Sequence, residues 1–165
     1  EPLLRPLVQG GTGTRSRRGE QPAELPERHE SGTLNVPGIA GLQAGLSFVA
    51  AQGPEALWQR EMALAARLWD RLAGMEHIQL YTPRPEVPHF LPVVSFTVKG
   101  LPCEEAAHRL GQAGLALRAG LHCAPLAHQK LGTQETGTLR ASLSAFTRRE
   151  EIDAAARLIA GLGRK

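Results

Sequence analysis

The hydrophobic period of this chain changes along its length, and that change limits the folds open to it. Between Gly53-Pro54 and Gly74, the residues Trp58, Met62, Ala65, Trp69 and Leu72 recur at helical spacing. From Pro92 to Lys99 the period drops to two. There Val94, Phe96 and Val98 alternate with Ser95 and Thr97, as in a strand with one face on a core. Pro102 then opens a helix carrying Cys103, Ala106, Ala107 and Leu110 on one side. Short strands are expected over 78–81, 115–118 and 138–143, and Pro83, Pro85 and Pro88 force a loop after the first. In the last helix Ile152, Ala155, Ala156 and Ile159 form the buried face, with Thr147 and Glu150 as a capping-box pattern. The order helix, helix, strand, strand, helix, strand, strand, helix predicts an α/β fold, a mixed sheet covered by helices. No Gly-x-Gly-x-x-Gly follows a predicted strand, so the doubly wound nucleotide pattern is not indicated.

The N-terminal part reads differently. Residues 1–36 are rich in glycine, proline and arginine without periodicity and are expected to form an irregular arm, with 37–165 as a small domain. A helix is expected after Pro37, with Ile39, Leu42, Leu46, Phe48 and Val49. Gly41 and Gly45 inside it either weaken the helical pattern or mark close packing against a neighbour. The length of 165 residues, 42% of them hydrophobic, suffices for one core. Arg15, Arg17 and Arg18 make a short basic cluster, but aromatics are only 4% of the chain, too few to interleave as in a single-strand nucleic-acid groove. That cluster reads as a solvated loop, and no nucleic acid is expected as a partner. Two cysteines make no disulfide framework, no segment reads as a signal peptide, and no apolar run would span a membrane. The expected compartment is the cytoplasm, with reduced thiols. The chain begins with Glu1 rather than methionine, which suggests a processed product or a fragment.

The chemistry concentrates at Arg118-Ala119-Gly120-Leu121-His122-Cys123-Ala124-Pro125-Leu126-Ala127-His128. A thiol near cationic groups favours its reactive thiolate, and Pro125 breaks regular structure just after it. The competing reading is a buried small hydrophobe. Cys103, on the apolar side of a helix, takes that second reading. Arg140 lies inside an expected strand, where its guanidinium must grip an anion or a structural carboxylate. Gly10-Gly11-Thr12-Gly13-Thr14 can turn backbone N–H groups and hydroxyls toward a phosphate, or form a plain turn. His122, Cys123 and His128, with Cys103 as a fourth candidate, lack zinc-site spacing, and no metal is expected.

Taken in order, these motifs resemble the C-terminal part of the cysteine desulfurases. These are pyridoxal-phosphate enzymes of the class V aminotransferase group, which also includes selenocysteine lyases. The resemblance runs from Gln9-Gly10-Gly11-Thr12-Gly13 through Glu30-Ser31-Gly32-Thr33-Leu34-Asn35-Val36-Pro37-Gly38 and the Arg118 to His128 stretch. It continues in Gly132-Thr133 and Gly137-Thr138-Leu139-Arg140-Ala141-Ser142 and ends at Glu150-Glu151-Ile152-Asp153. It implies that Cys123 attacks the sulfur of L-cysteine, leaving alanine and a persulfide that passes to an acceptor protein. It implies that Arg140 holds the substrate carboxylate, with Arg118 near the mouth of the site. Gly11 and Thr12 would reach the cofactor phosphate of the partner subunit in a homodimer, and His122 and His128 would tune or deprotonate the thiol. The family's cofactor lysine belongs to a large N-terminal domain that no segment here matches; Lys99, Lys130 and Lys165 fit no such motif. This chain alone is therefore expected to be inactive. The alternatives are a stand-alone sulfur carrier and a class V aminotransferase or lyase that handles no sulfur.

Overall fold

The structure is a computed structural model that describes residues 4–15, 17–86 and 90–163. Glu1, Pro88 and Lys165, named above, lie outside the described residues. The chain divides into two compact units, Glu1–Ala51 and Gln52–Lys165.

In the first unit, an irregular segment carries a 3-10 turn, Glu27–His29, and leads into helix α1, Val36–Gln52. The composition change near Pro37 thus marks the start of α1. None of the helix's residues is buried, although Ile39, Leu42 and Leu46 are all apolar. The irregular segment is held by polar bonds instead, among them the Arg15–Glu24 ion pair and the hydrogen bonds of Gln21. Gln21 is its hub: its Oε1 accepts from Gly10 N–H at 2.9 Å, and its Nε2 donates to Glu27 O at 2.8 Å.

The second unit begins with helix α2, Pro54–Ala73, and its first turn holds a proline, where the missing N–H costs nothing. Strands β1 (Ile78–Leu80) and β2 (Val93–Val98), helix α3 (Cys103–Gln112), strand β3 (Arg118–Gly120), helix α4 (Pro125–Leu131), strand β4 (Thr138–Ser142) and helix α5 (Arg149–Gly161) follow. The sheet order is β1-β2-β4-β3. The expected α/β class holds, but every pairing is antiparallel, so the sheet is not mixed. Helix α3 does lead from β2 to another strand, as a parallel crossover would. That strand, β3, lies at the far edge against β4 and never pairs with β2.

Helices α2, α3 and α5 supply one side of the core. Leu68, Leu72, Leu110 and Ile159 meet Val94, Phe96 and Leu139 from the sheet, and all seven are at most 2% exposed. Burial of each such side chain contributes about 1.5–3 kcal/mol relative to exposure. Asp153 on α5 accepts from Arg67 Nε at 2.9 Å and Nη2 at 2.8 Å, and from Arg71 Nη2 at 3.1 Å, which ties α5 to α2. The indoles of Trp58 and Trp69 donate to Phe90 O and Thr82 O at 3.1 and 2.8 Å.

Three local expectations shift. The strand expected over 115–118 is found at Arg118–Gly120, because Leu115 and Leu117 pack on the core without joining the ladder. The capping box forms one residue later than read: Glu151 Oε2 accepts from Arg148 N–H at 2.8 Å, while Thr147 Oγ1 accepts from Ser144 N–H at 3.0 Å. Pro125 opens α4 where a break was expected.

Because neighbouring strand residues point to opposite faces, the core positions Phe96, Leu139 and Ala119 leave Ser95, Arg140 and Arg118 in one row on the other face. That row is where the candidate site is built.

Candidate active site

The loop carrying Cys123 leaves β3 at a crowded point. Gly120 and Gly137 both have positive φ, +101° and +60°. A Cβ on Gly137 would lie 2.8 Å from Gly120 Cα, so only glycine fits there. Two residues on, His122 (φ 53°) and Cys123 (φ 58°) both occupy the left-handed region. Such a conformation costs a non-glycine residue on the order of 1–3 kcal/mol and persists only where surrounding contacts impose it. Here those contacts are visible. Ala124 N–H donates to Leu121 O at 2.9 Å, closing the turn. Pro125 starts α4 at once, and Gly132 in the left-handed conformation ends it. The helix fixes the outgoing end of the loop as β3 fixes the incoming one.

Cys123 is exposed, and Arg118 Nη2 lies 3.7 Å from its Sγ. Arg118 stands directly opposite Arg140 across the β3–β4 ladder. Among the described residues neither guanidinium forms an ion pair with a carboxylate. Arg140 Nε is buried without a hydrogen-bond partner. A buried donor left unsatisfied costs about 1–3 kcal/mol, so this nitrogen invites an acceptor.

His122 lies close enough to both arginines to feel their charge. Its Nε2 shares a 3.3 Å hydrogen bond with the buried Thr138 Oγ1, and its Nδ1 is buried without a partner. Burial first, then the charges of Arg140, His128 and Arg118, hold its pKa below the ordinary histidine value. Near neutral pH the ring is therefore uncharged and offers one nitrogen as a proton acceptor. His128 is buried on α4; its Nδ1 shares a 2.8 Å bond with Thr133 Oγ1, and the two imidazoles are 5.7 Å apart. Both histidines stand out in the sequence; Thr133 and Thr138 do not. Each follows a glycine in the motifs quoted above, and neither shows in sequence that its hydroxyl would be buried on an imidazole.

Cys123, His122, Arg118 and Arg140 thus lie together on the second unit. Cys103 takes the core reading: it is buried, and its Sγ donates to Thr136 O at 3.0 Å. Burial pushes its thiol pKa up.

Gly11 and Thr12 lie in the first unit. They line a cavity of about 390 Å³ with Gly10, Gly13, Thr14 and Arg18. Gly10, Gly11 and Gly13 all have positive φ, and a Cβ on Gly11 would stand 3.1 Å from Gly32 Cα. Thr12 Oγ1 donates to Thr14 O at 3.1 Å. Close backbone, free hydroxyl capacity and a nearby arginine fit a phosphate group. Of the described lysines, neither Lys99 nor Lys130 lies in this cavity. Lys99 follows β2 and lines a different cavity with Glu104 and Glu135, and Lys130 is exposed in the last turn of α4. Among the described residues no cluster of three His, Cys, Asp or Glu side chains could hold a metal ion, and no helix is long and apolar enough to cross a membrane.

Residues 2–155 match the family model described as aminotransferase class-V. The chain is similar to a probable cysteine desulfurase of Pasteurella multocida, 34% identical over 154 residues that cover 92% of this chain and 35% of that protein. Among solved structures it is similar to an apo cysteine desulfurase from Thermococcus onnurineus, with a TM-score of 0.80 and 34% identity over 96% of this chain and 39% of the other. It is also similar to a C-DES structure in which glycine is covalently linked to the PLP cofactor, with a TM-score of 0.64 and 25% identity over 94% of this chain and 36% of that one. The chain spans about a third of the length of the curated relatives it matches.

Proposed function

This chain belongs to the aminotransferase class-V family, and on that premise we propose that it supplies the thiol-bearing, C-terminal part of a pyridoxal-phosphate-dependent cysteine desulfurase. One observation above all supports this: an exposed cysteine in a constrained turn, with Arg118 on its sulfur and Arg140 across the ladder.

Arg140 binds the carboxylate of L-cysteine, since a planar guanidinium matches a carboxylate with two parallel hydrogen bonds. Arg118 stands beside it at the mouth of the site. His122 Nδ1, the ring nitrogen without a partner, accepts the thiol proton of Cys123. The Cys123 thiolate then attacks the substrate sulfur. A sulfur–sulfur bond forms, the carbon–sulfur bond breaks, and its electron pair leaves with the carbon. Pyridoxal phosphate, when bound, supplies the electron sink for that carbon, which ends protonated as alanine. Cys123 is left as a persulfide, and its exposure suits transfer of the outer sulfur to an acceptor protein in the cytoplasm. Gly11 and Thr12 hold the cofactor phosphate of the partner subunit in a homodimer. The cofactor lysine comes from residues outside these 165, and the chain by itself is inactive.

Replacing Cys123 tests the reading. In the full-length, cofactor-loaded enzyme, Cys123→Ala should cut alanine release from L-cysteine by about a thousandfold or more, as loss of a nucleophile does. Undiminished release would mean a class V lyase or transaminase that needs no thiol. Acceptance of sulfur on Cys123 with no dependence on Arg140 or on the cofactor would mean a carrier.

A further inference from the structure

The antiparallel register puts Arg118 and Arg140 directly opposite each other. Like charges at such a position repel, and no carboxylate among the described residues separates them. One substrate carboxylate on Arg140 leaves the second guanidinium without an anion. Arg118 reaches the thiol instead: its Nη2 is 3.7 Å from Cys123 Sγ, and it extends from β3, five residues before the thiol. The left-handed turn at His122 and Cys123 brings the chain back on itself so that this contact forms.

We propose that Arg118 is the sulfur-anion residue of this site: it holds the negative charge on Cys123, first as thiolate and then on the outer sulfur of the persulfide. Arg118 and Arg140 thereby form a two-anion site, one guanidinium for the sulfur and one for a small carboxylate beside it. This assigns Arg118 to the enzyme's own sulfur, whereas position alone would give it to the substrate. Only the persulfide half rests on the desulfuration proposed above; the thiolate half needs no turnover.

The test compares two alkylating reagents on the whole chain, with the Cys123 peptide followed by mass spectrometry so that Cys103 does not interfere. Iodoacetate is an anion and iodoacetamide is neutral, and both consume the same thiolate. The ratio of their rate constants therefore cancels the thiolate fraction and reads the local attraction for anions. Arg118→Gln should lower the ratio of iodoacetate to iodoacetamide by about fivefold, the size of one unscreened charge about 4 Å away in water. Arg118→Lys, which keeps the charge, should hold the ratio within about twofold of wild type. Arg109→Gln, on the exposed face of α3, should leave it unchanged. A ratio in Arg118→Gln equal to wild type, or Arg118→Lys as low as Arg118→Gln, overturns the proposal. The readout uses neither cofactor nor L-cysteine. A chain that passes it but makes no persulfide in the full enzyme loses the function and keeps the anion site. A desulfurase with an unchanged ratio loses Arg118 alone.

Discussion

At the scale of single residues, the site depends on two kinds of constraint, one steric and one electrostatic. Gly137→Ala adds a methyl group 2.8 Å from Gly120 Cα at a φ of +60°. It should destabilise the chain on the order of 1–3 kcal/mol in denaturant unfolding and slow Cys123 alkylation with it, because the same contact sets where the loop leaves β3. His122 gives a pH dependence whose sign follows from its lowered pKa. The unfolded chain takes up a proton at about pH 6.5, whereas the folded site resists it until the pH is lower. Its contribution is therefore harmless above about pH 6.5 and increasingly destabilising below it. His122→Gln should flatten the loss of stability between about pH 7 and pH 5; a loss as steep as wild type would contradict the burial and charge read here. Cys123 and Arg140 stand out in the sequence as candidates because a thiol among cations and a charge inside a strand are each unusual. Thr133 and Thr138 do not, since a hydroxyl's partner is set by tertiary packing.

At the scale of elements, the long helix and the alternating strand were readable because each buries one face, and burial imposes its period on the sequence. In α2 the stripe Met62, Ala65 and Leu72 is buried as read, and Leu64 and Leu68 widen it. Leu68→Ala should cost about 2–5 kcal/mol, as the side chain is fully enclosed. Short elements were less legible. Helix α4 has seven residues with one buried, His128, too few to show a period, and its Pro125 reads equally as a start or a break. The sheet's direction was also hidden, because pairing partners depend on which edge β3 joins. Asp153 ties α2 to α5, and its hydrogen bonds from Arg67, with the charges of Arg67 and Arg71, hold its carboxyl below the usual range. A lowered carboxyl stabilises above its unfolded pKa, about 3.9, and loses that as pH falls through the folded value. Asp153→Asn should therefore be less stable than wild type at neutral pH and converge with it in acid. A gap that persists in acid would assign the role of Asp153 to packing instead.

At the scale of the whole molecule, the 165 residues carry two halves of different chemistry. The first unit has the phosphate-suited glycine turn and an α1 helix whose apolar side chains are unburied; the second has the thiol and the arginine pair. The order of motifs was legible across both, which is why the family resemblance could be drawn from sequence. Neither Lys99 nor Lys130 lines the glycine-turn cavity. After desalting, the chain mixed with pyridoxal phosphate should retain no imine absorbance; retention that disappears on replacing Lys99 or Lys130 would contradict that. The open frame upstream of the codon for Glu1 should encode a large domain with a histidine–lysine pair. A start codon immediately before Glu1 would leave the carrier as the reading to test. Persulfide formation on Cys123 is decided by supplying the full-length, cofactor-loaded protein with L-cysteine and mapping the product by peptide mass spectrometry. One added sulfur is expected on the Cys123 peptide and none on the Cys103 peptide. Alanine formed with Cys123 unmodified at every time point would contradict that expectation.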